Sequence, residues 1–219
     1  MATGAGDASR RRRLRCPRAP RPASLPRLAG VSHPDADPEF DPATFRTVLR
    51  RFATGVAVVT TWDGERPWGT TVNSFSSVSL RPPLVLVAFD RGRRIVPSLR
   101  ATGRYAVNIL GEEDRALSDC FAGGPNPADV PADGDERARL CGAEWRRGTT
   151  GLPILLDAIA TLECTLVDVH PAGDHDLYLA RVDAAAAAGE APLPLLYYSG
   201  RYLRIERASS HELEGKPER

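Results

Sequence analysis

Short runs rich in Val, Leu, Ile and Tyr recur along the chain, and turn signals close almost every one. They are VAVVTT at 56–61, LVLVAF at 84–89, YAVNIL at 105–110, LPILL at 152–156, the stretch 158–169, LYLARV at 177–182, LLYY at 195–198 and RYLRIE at 201–206. Runs of this length with β-branched and aromatic residues are strands. None approaches the ~18–20 residues that cross a bilayer as a helix. Many short strands with few helices predict a mainly β fold closed as an antiparallel barrel. Helical periodicity is confined to a few places. Asp41 can cap a helix with Pro42 at its first position. Phe45, Val48, Leu49 and Phe52 then share one face, and Gly55 ends the segment. Pro97 opens a short helix that stops at Gly103. EEDRALSDCF at 112–121 is predicted helical, with acids in its first turn. Asp63-Gly64 predicts a hairpin turn, His170 to Asp176 another turn, and AAAAAG at 184–189 a strand followed by loop, although its propensity is helical.

Charge separates the tail from the body. The formal net charge of +1 divides into +7 over residues 1–30, from eight arginines and one aspartate, and −6 over the rest. The folded body is therefore mildly acidic and excludes a general nucleic-acid surface. Residues 1–38 are rich in Arg, Pro, Ala and Ser without periodicity, which predicts a disordered basic tail. SRRRRLR at 9–15 is followed by no apolar segment, so an export signal is not expected. The loop at 122–136, dense in Gly, Pro and Asp, is read as a mobile cover or insertion. Residues 39–207 form the expected domain and 208–219 a flexible tail. Cys16, Cys120, Cys141 and Cys164 show no CxxC spacing, so neither a zinc site nor a disulfide framework is expected and reduced thiols are. No metal site is expected. The reading is a cytoplasmic protein without membrane contact.

The stretch from Pro67 to Asp90, PWGTTVNSFSSVSLRPPLVLVAFD, carries the chemistry. Asn73, Ser74, Ser76, Ser77 and Ser79 fall within seven residues between two strand-like segments. Short hydroxyls, amides and backbone N–H groups can there approach a flat ligand with a polar edge. The competing reading is a Ser-rich turn capped by its own hydroxyls.

TVNSFSSVSLRPPLVLVAF resembles the flavin-binding signature of the short-chain flavin reductases, the reductase components of two-component flavin monooxygenases. GRYAVNIL at 103–110, GDHDLYLARV at 173–182 and PLLYYSGRYLRI at 194–205 resemble further family motifs in the same order. The resemblance spans roughly Asp41 to Glu206. It implies a six-stranded Greek-key split barrel with flanking helices, FMN-binding and homodimeric. Its cofactors would be FMN, with FAD as the variant, and NADH or NADPH.

Mapped by that resemblance, the ring slot is Pro67, Trp68, Gly69, Thr70, Thr71, Asn73 and Ser74. Gly69 would allow close backbone approach, and Asn73 can donate and accept along a pyrimidine edge. Trp68 is either core or a wall of the slot. The phosphate side maps to Ala88, Phe89, Asp90, Arg93 and Arg94. Two arginines before a helix suit an anion, against the reading of a solvated basic turn. Phe121 completes the set; where relatives often carry Arg-Phe this chain has Cys120-Phe121, which tilts the expectation from FAD to FMN. Gly173, Asp174 and His175 map to the NAD(P)H side, against the reading of an exposed turn histidine. Tyr198 and Tyr202 either border the ring or are ordinary barrel aromatics. No protein acid or base is assigned, because the flavin itself takes the hydride.

The function these matches imply is an NAD(P)H:flavin oxidoreductase supplying reduced flavin to a separate monooxygenase. With no GxGxxG after a strand, no Rossmann domain is expected and nicotinamide would share the flavin cleft. The alternatives are a flavin-dependent oxidase or tailoring enzyme, or a non-catalytic FMN-binding protein, on the same barrel.

Overall fold

The computed structural model describes residues 41–123, 140–189 and 192–206. The expectations for residues 1–38, for 124–136 and for 208–219 lie outside these.

The chain is mainly β, as expected. Its principal sheet has seven antiparallel strands. In chain order these are β2 (Ala57–Asp63), β3 (Arg66–Val72), β4 (Ser76–Leu80), β5 (Pro83–Asp90), β6 (Arg104–Ile109), β9 (Ala160–Ala172) and β10 (His175–Ala187). In space they run β3-β2-β6-β9-β10-β5-β4. β1 (Thr54–Gly55), β11 (Leu196–Tyr198) and β12 (Arg201–Leu203) form a small sheet, and β7 (Trp145–Arg147) pairs with β8 (Pro153–Leu155).

The two edge strands of the large sheet, β3 and β4, are consecutive in the chain and separated only by residues 73–75. Three linking residues span at most about 14 Å. The sheet must therefore curl enough to bring the end of β3 within that distance of the start of β4. No hydrogen-bonded ladder joins β3 to β4 among the described residues, so the seam stays open.

Local chemistry accounts for the elements. Asp41 caps α1 (Pro42–Leu49), accepting the N–H groups of Ala43 at 3.0 Å and Thr44 at 2.9 Å. Gly64, at φ 61°, makes the tight turn between β2 and β3. β5 and β10 alternate buried and half-buried positions along their shared ladder, as a strand with one packed face must. Val85, Val87, Phe89, Tyr178 and Ala180 form that face, and α2 (Val96–Thr102) adds Val96 and Leu99. Tyr178 meets Phe89 edge to face at 5.2 Å. A second cluster, built on Val56, Val58, Leu110, Phe121 and Leu155, lies under α3 (Arg115–Gly123).

Three expectations are corrected. Cys120 and Cys141 are joined as a disulfide, 21 residues apart in sequence; spacing could not reveal a pair that only the fold brings together. Cys164 alone among the described cysteines is free, and burial pushes its thiol up to about 12. α3 starts at Arg115, so no acid lies in its first turn. Asp114 instead accepts the Gly111 N–H at 2.8 Å and closes a turn before the helix. The turn expected over 170–176 is only Gly173-Asp174, because β9 and β10 keep pairing up to Ala172 opposite His175. The alanine run is strand through Ala187 and then loop, as expected, since its ladder to β9 outweighs its helical propensity.

Candidate functional site

Residues 73–75 leave β3 at the open seam and turn into β4. β5 ends close by, because Ser74 Oγ donates to the Ala88 carbonyl at 2.8 Å. β10 begins opposite the end of β5, with His175 across from Asp90. Three segments distant in sequence thus converge on a cavity of about 220 Å³. Thr70, Thr71, Asn73 and Ser74 line it from β3 and its exit. Ala88, Phe89, Asp90 and Arg93 line it from β5 and the following turn, and His175 from β10.

A second cavity of about 300 Å³ shares Thr71, Val72, Asn73 and Arg93 with the first. Its remaining walls are Val56, Ser118, Ala122, Tyr197 and Tyr202. The two are therefore one cleft with a polar end and a more apolar, tyrosine-lined end. Tyr197 and Tyr202 meet edge to face at 5.5 Å, and Arg115 sits over the Tyr202 ring at 5.5 Å.

α3 is fixed against this cleft by hydrogen bonds that consume the threonine hydroxyls. Thr71 Oγ1 donates to the Ser118 carbonyl at 2.7 Å and Thr70 Oγ1 to the Phe121 carbonyl at 3.5 Å. The Ser118 and Tyr202 hydroxyls share a bond of 2.9 Å. By contrast the Asn73 carboxamide and the Arg93 guanidinium have no partner among the described residues. They are the polar groups left for a ligand.

The turn after β5 is built by Asp90. Its Oδ1 accepts the Gly92 N–H at 2.7 Å and its carbonyl accepts the Arg93 N–H at 3.1 Å. His175 is held by Asp174, with Nδ1 2.6 Å from Asp174 Oδ1. That hydrogen bond holds the Asp174 carboxyl below its ordinary value. In the neutral ring Nδ1–H then donates to Asp174 and leaves Nε2 as an acceptor.

Seven sequence-expected site residues line neither cavity. Pro67 pairs with Trp62 in the ladder, and Trp68 packs on the main core. Gly69 is needed for a different close approach. A Cβ there would lie 2.7 Å from Phe121 Cε1, so the glycine admits the Phe121 ring of α3. Phe121 itself is buried beneath the cleft floor. Arg94 is exposed beside Arg93, and Gly173 and Asp174 form the turn that supports His175. The sequence did not point to Ser118, Ala122, Val56 or Tyr197. Ser118 and Ala122 are small helix residues with no motif of their own, and only the docking of α3 on β3 brings them to the cleft.

A family model for the flavin reductase like domain matches residues 49–206. The chain belongs to that family. The NADH-dependent flavin reductase of a Rhodococcus species is 38% identical over 175 residues, covering 78% of this chain and 91% of that protein. The reductase subunit HsaB of a flavin-dependent monooxygenase from Mycobacterium tuberculosis is 35% identical over 169 residues, covering 77% and 84%. Among solved structures, flavin reductase PheA2 aligns with a TM-score of 0.66 at 34% identity, over 77% of this chain and all of that one. The Streptomyces globisporus NADH:FAD oxidoreductase SgcE6, solved with NAD and FAD fragments, aligns with a TM-score of 0.66 at 32% identity, over 78% and 96%.

Proposed function

We propose that this chain is an NAD(P)H-dependent flavin reductase, which passes hydride from reduced nicotinamide to FMN or FAD and supplies the reduced flavin to a separate monooxygenase. The observation that carries the reading is the meeting of the Thr70–Ser74 segment, the end of β5 with Arg93, and His175 around one open cleft. The donor set fits a flavin. Asn73 offers a donor and an acceptor to a pyrimidine edge. Arg93, with no counter-ion among the described residues, offers charge to a phosphate. Trp68, Gly69 and Phe121 support the floor rather than touch the ligand, and Arg94 adds only to the positive field.

Bound flavin supplies the hydride-accepting chemistry. The protein's residues bind and orient. His175, its Nδ1 engaged by Asp174, presents Nε2 to a nicotinamide carboxamide N–H. Tyr197 and Tyr202 give the apolar end of the cleft an aromatic wall suited to a planar ring. The seven-stranded sheet is read as the family's split barrel, its seam at residues 73–75 serving as the binding bend. Val48, Leu49 and Phe52 expose an apolar helix face, Phe52 to 75%, and support a homodimer. No described helix is long and apolar enough to cross a membrane, and the reading puts the reaction in the cytoplasm, where nicotinamide is re-reduced.

Anaerobic stopped-flow mixing of the protein with FMN or FAD and each reduced nicotinamide tests this. Bleaching of the oxidised flavin band is expected with free FMN in catalytic turnover. Tight flavin binding without bleaching would instead mark a flavin carrier. Flavin reduction by an organic substrate but not by nicotinamide would mark an oxidase or tailoring enzyme.

A further inference from the structure

Asp176 is the most enclosed carboxylate near the cleft, its side chain only 4% exposed, and it lines neither cavity. It follows His175 on β10, so its side chain points to the opposite face of the strand. There it meets two cations from different elements. Arg91, in the turn after β5, places Nε 2.8 Å from Asp176 Oδ1. Arg100, on α2, places Nη2 2.7 Å from Oδ2. Both carboxylate oxygens are thereby used, and the carboxyl is held below its ordinary value, first by the bond from Arg91.

The same arginine grips the β9–β10 hairpin twice more. The Arg91 N–H donates to the Asp174 carbonyl at 3.3 Å, and Nη2 to the His175 carbonyl at 3.4 Å. Arg91 stands two residues before Arg93, and Asp176 one residue after His175. The clamp therefore ties the segment that carries the free guanidinium to the segment that carries the imidazole. Nothing else among the described side chains links those two segments by an ion pair.

We propose that Asp176 is a positioning residue for the nicotinamide side of the reaction: by clamping Arg91 and Arg100 it fixes His175 relative to the turn that carries Arg93. The inference rests on the flavin reductase reading above. Asp176 touches neither ligand and moves no proton. It sets the spacing between the imidazole offered to the nicotinamide and the flavin-phosphate turn, whose own shape Asp90 holds. Misplacement by about an ångström is enough to be read in kinetics.

The test is steady-state kinetics of the full chain with varied NADH and FMN, on Asp176→Asn, Asp176→Glu and wild type. Asp176→Asn keeps the shape but withdraws the charge that holds two arginines. Its KM for NADH should rise about tenfold, with kcat and the KM for FMN within about twofold, and Asp176→Glu should recover part of the loss. Unchanged KM for NADH overturns the proposal. So does a fall in kcat that tracks the folded fraction with both KM values unmoved, since that is a purely structural role. Should Asp176→Asn fail to fold, Arg91→Ala is read by the same criteria, because it releases the turn while Arg100 still satisfies the carboxylate. Wild-type protein that does not oxidise NADH with free flavin would sink the reductase reading and this inference with it. Wild-type turnover with an unaltered Asp176→Asn would sink the inference alone.

Discussion

α3 walls the cleft and α2 follows the turn that carries Arg93 into it, and the two are attached by different means. α3 is held by packing, neutral hydrogen bonds and a covalent bond. Phe121 sits on Gly69, Ser118 bonds Thr71 and Tyr202, and Cys120 is joined to Cys141. Its Arg115–Asp119 pair, 3.6 Å apart and exposed, adds little. α2 also buries Val96 and Leu99, but its link to the cleft is charged, running from Arg100 and the Arg91 turn to Asp176. α3 thus gives the cleft a fixed wall, whereas the turn before α2 holds ligand-facing groups in an orientation set by electrostatics. The first attachment should answer to thiol reagents and volume changes, the second to charge.

The largest effect should come from the disulfide. A cross-link closing a loop of this length is worth about 3 kcal/mol by restricting the unfolded chain. Cys120→Ser, or reduction of wild type by a dithiol at neutral pH, should lower the thermal midpoint, with added hydrogen exchange concentrated in α3. Equal stability with and without reductant would remove the covalent half of the contrast. Next comes Gly69→Ala. The new methyl must displace the buried Phe121 ring, at a cost of about 2 kcal/mol, and denaturant titration should show it. A neutral outcome would mean that α3 floats more freely than its packing implies.

Ser118→Ala should cost about 1 kcal/mol, the scale of one net hydrogen bond, by leaving the Tyr202 hydroxyl without that partner. A change in flavin binding larger than the change in stability would sharpen the role of the tyrosine end. The smallest change should be seen in acid. A carboxyl whose pKa is depressed on folding stabilises the native state above its unfolded value of about 4. That contribution disappears as pH falls through the lower, folded value. Asp176 is such a group. Below about pH 4, exchange should therefore rise in residues 91–100 before it rises in α3. Simultaneous loosening of both helices would collapse the distinction.

Much of the frame was legible from residue pattern alone. VAVVTT, LVLVAF, YAVNIL and LYLARV are strands, and Asp41-Pro42 and Gly103 begin and end helices as their chemistry requires. The candidate cavity was legible where each motif lies in one stretch, since Thr70, Thr71, Asn73, Ser74, Ala88, Phe89, Asp90, Arg93 and His175 line it together. Gly69 was legible as a place of close approach, but the group that approaches is Phe121, 52 residues on in a helix. Ser118, Ala122 and Tyr197 gave no usable signal, since small or aromatic residues in regular elements look alike until the elements dock.

Sequence by itself determined the periods: where the backbone alternates in twos, where it winds, where glycine or proline must interrupt, and which short polar stretch could meet a flat ligand. These follow from local sterics and from the burial demanded of each side chain by its neighbours. Tertiary structure alone decided which distant groups became partners. The Cys120–Cys141 bond, the Asp176 clamp and the open seam between β3 and β4 all depend on how the sheet curls and where the helices settle, and these arise from long-range packing that no local window of residues contains.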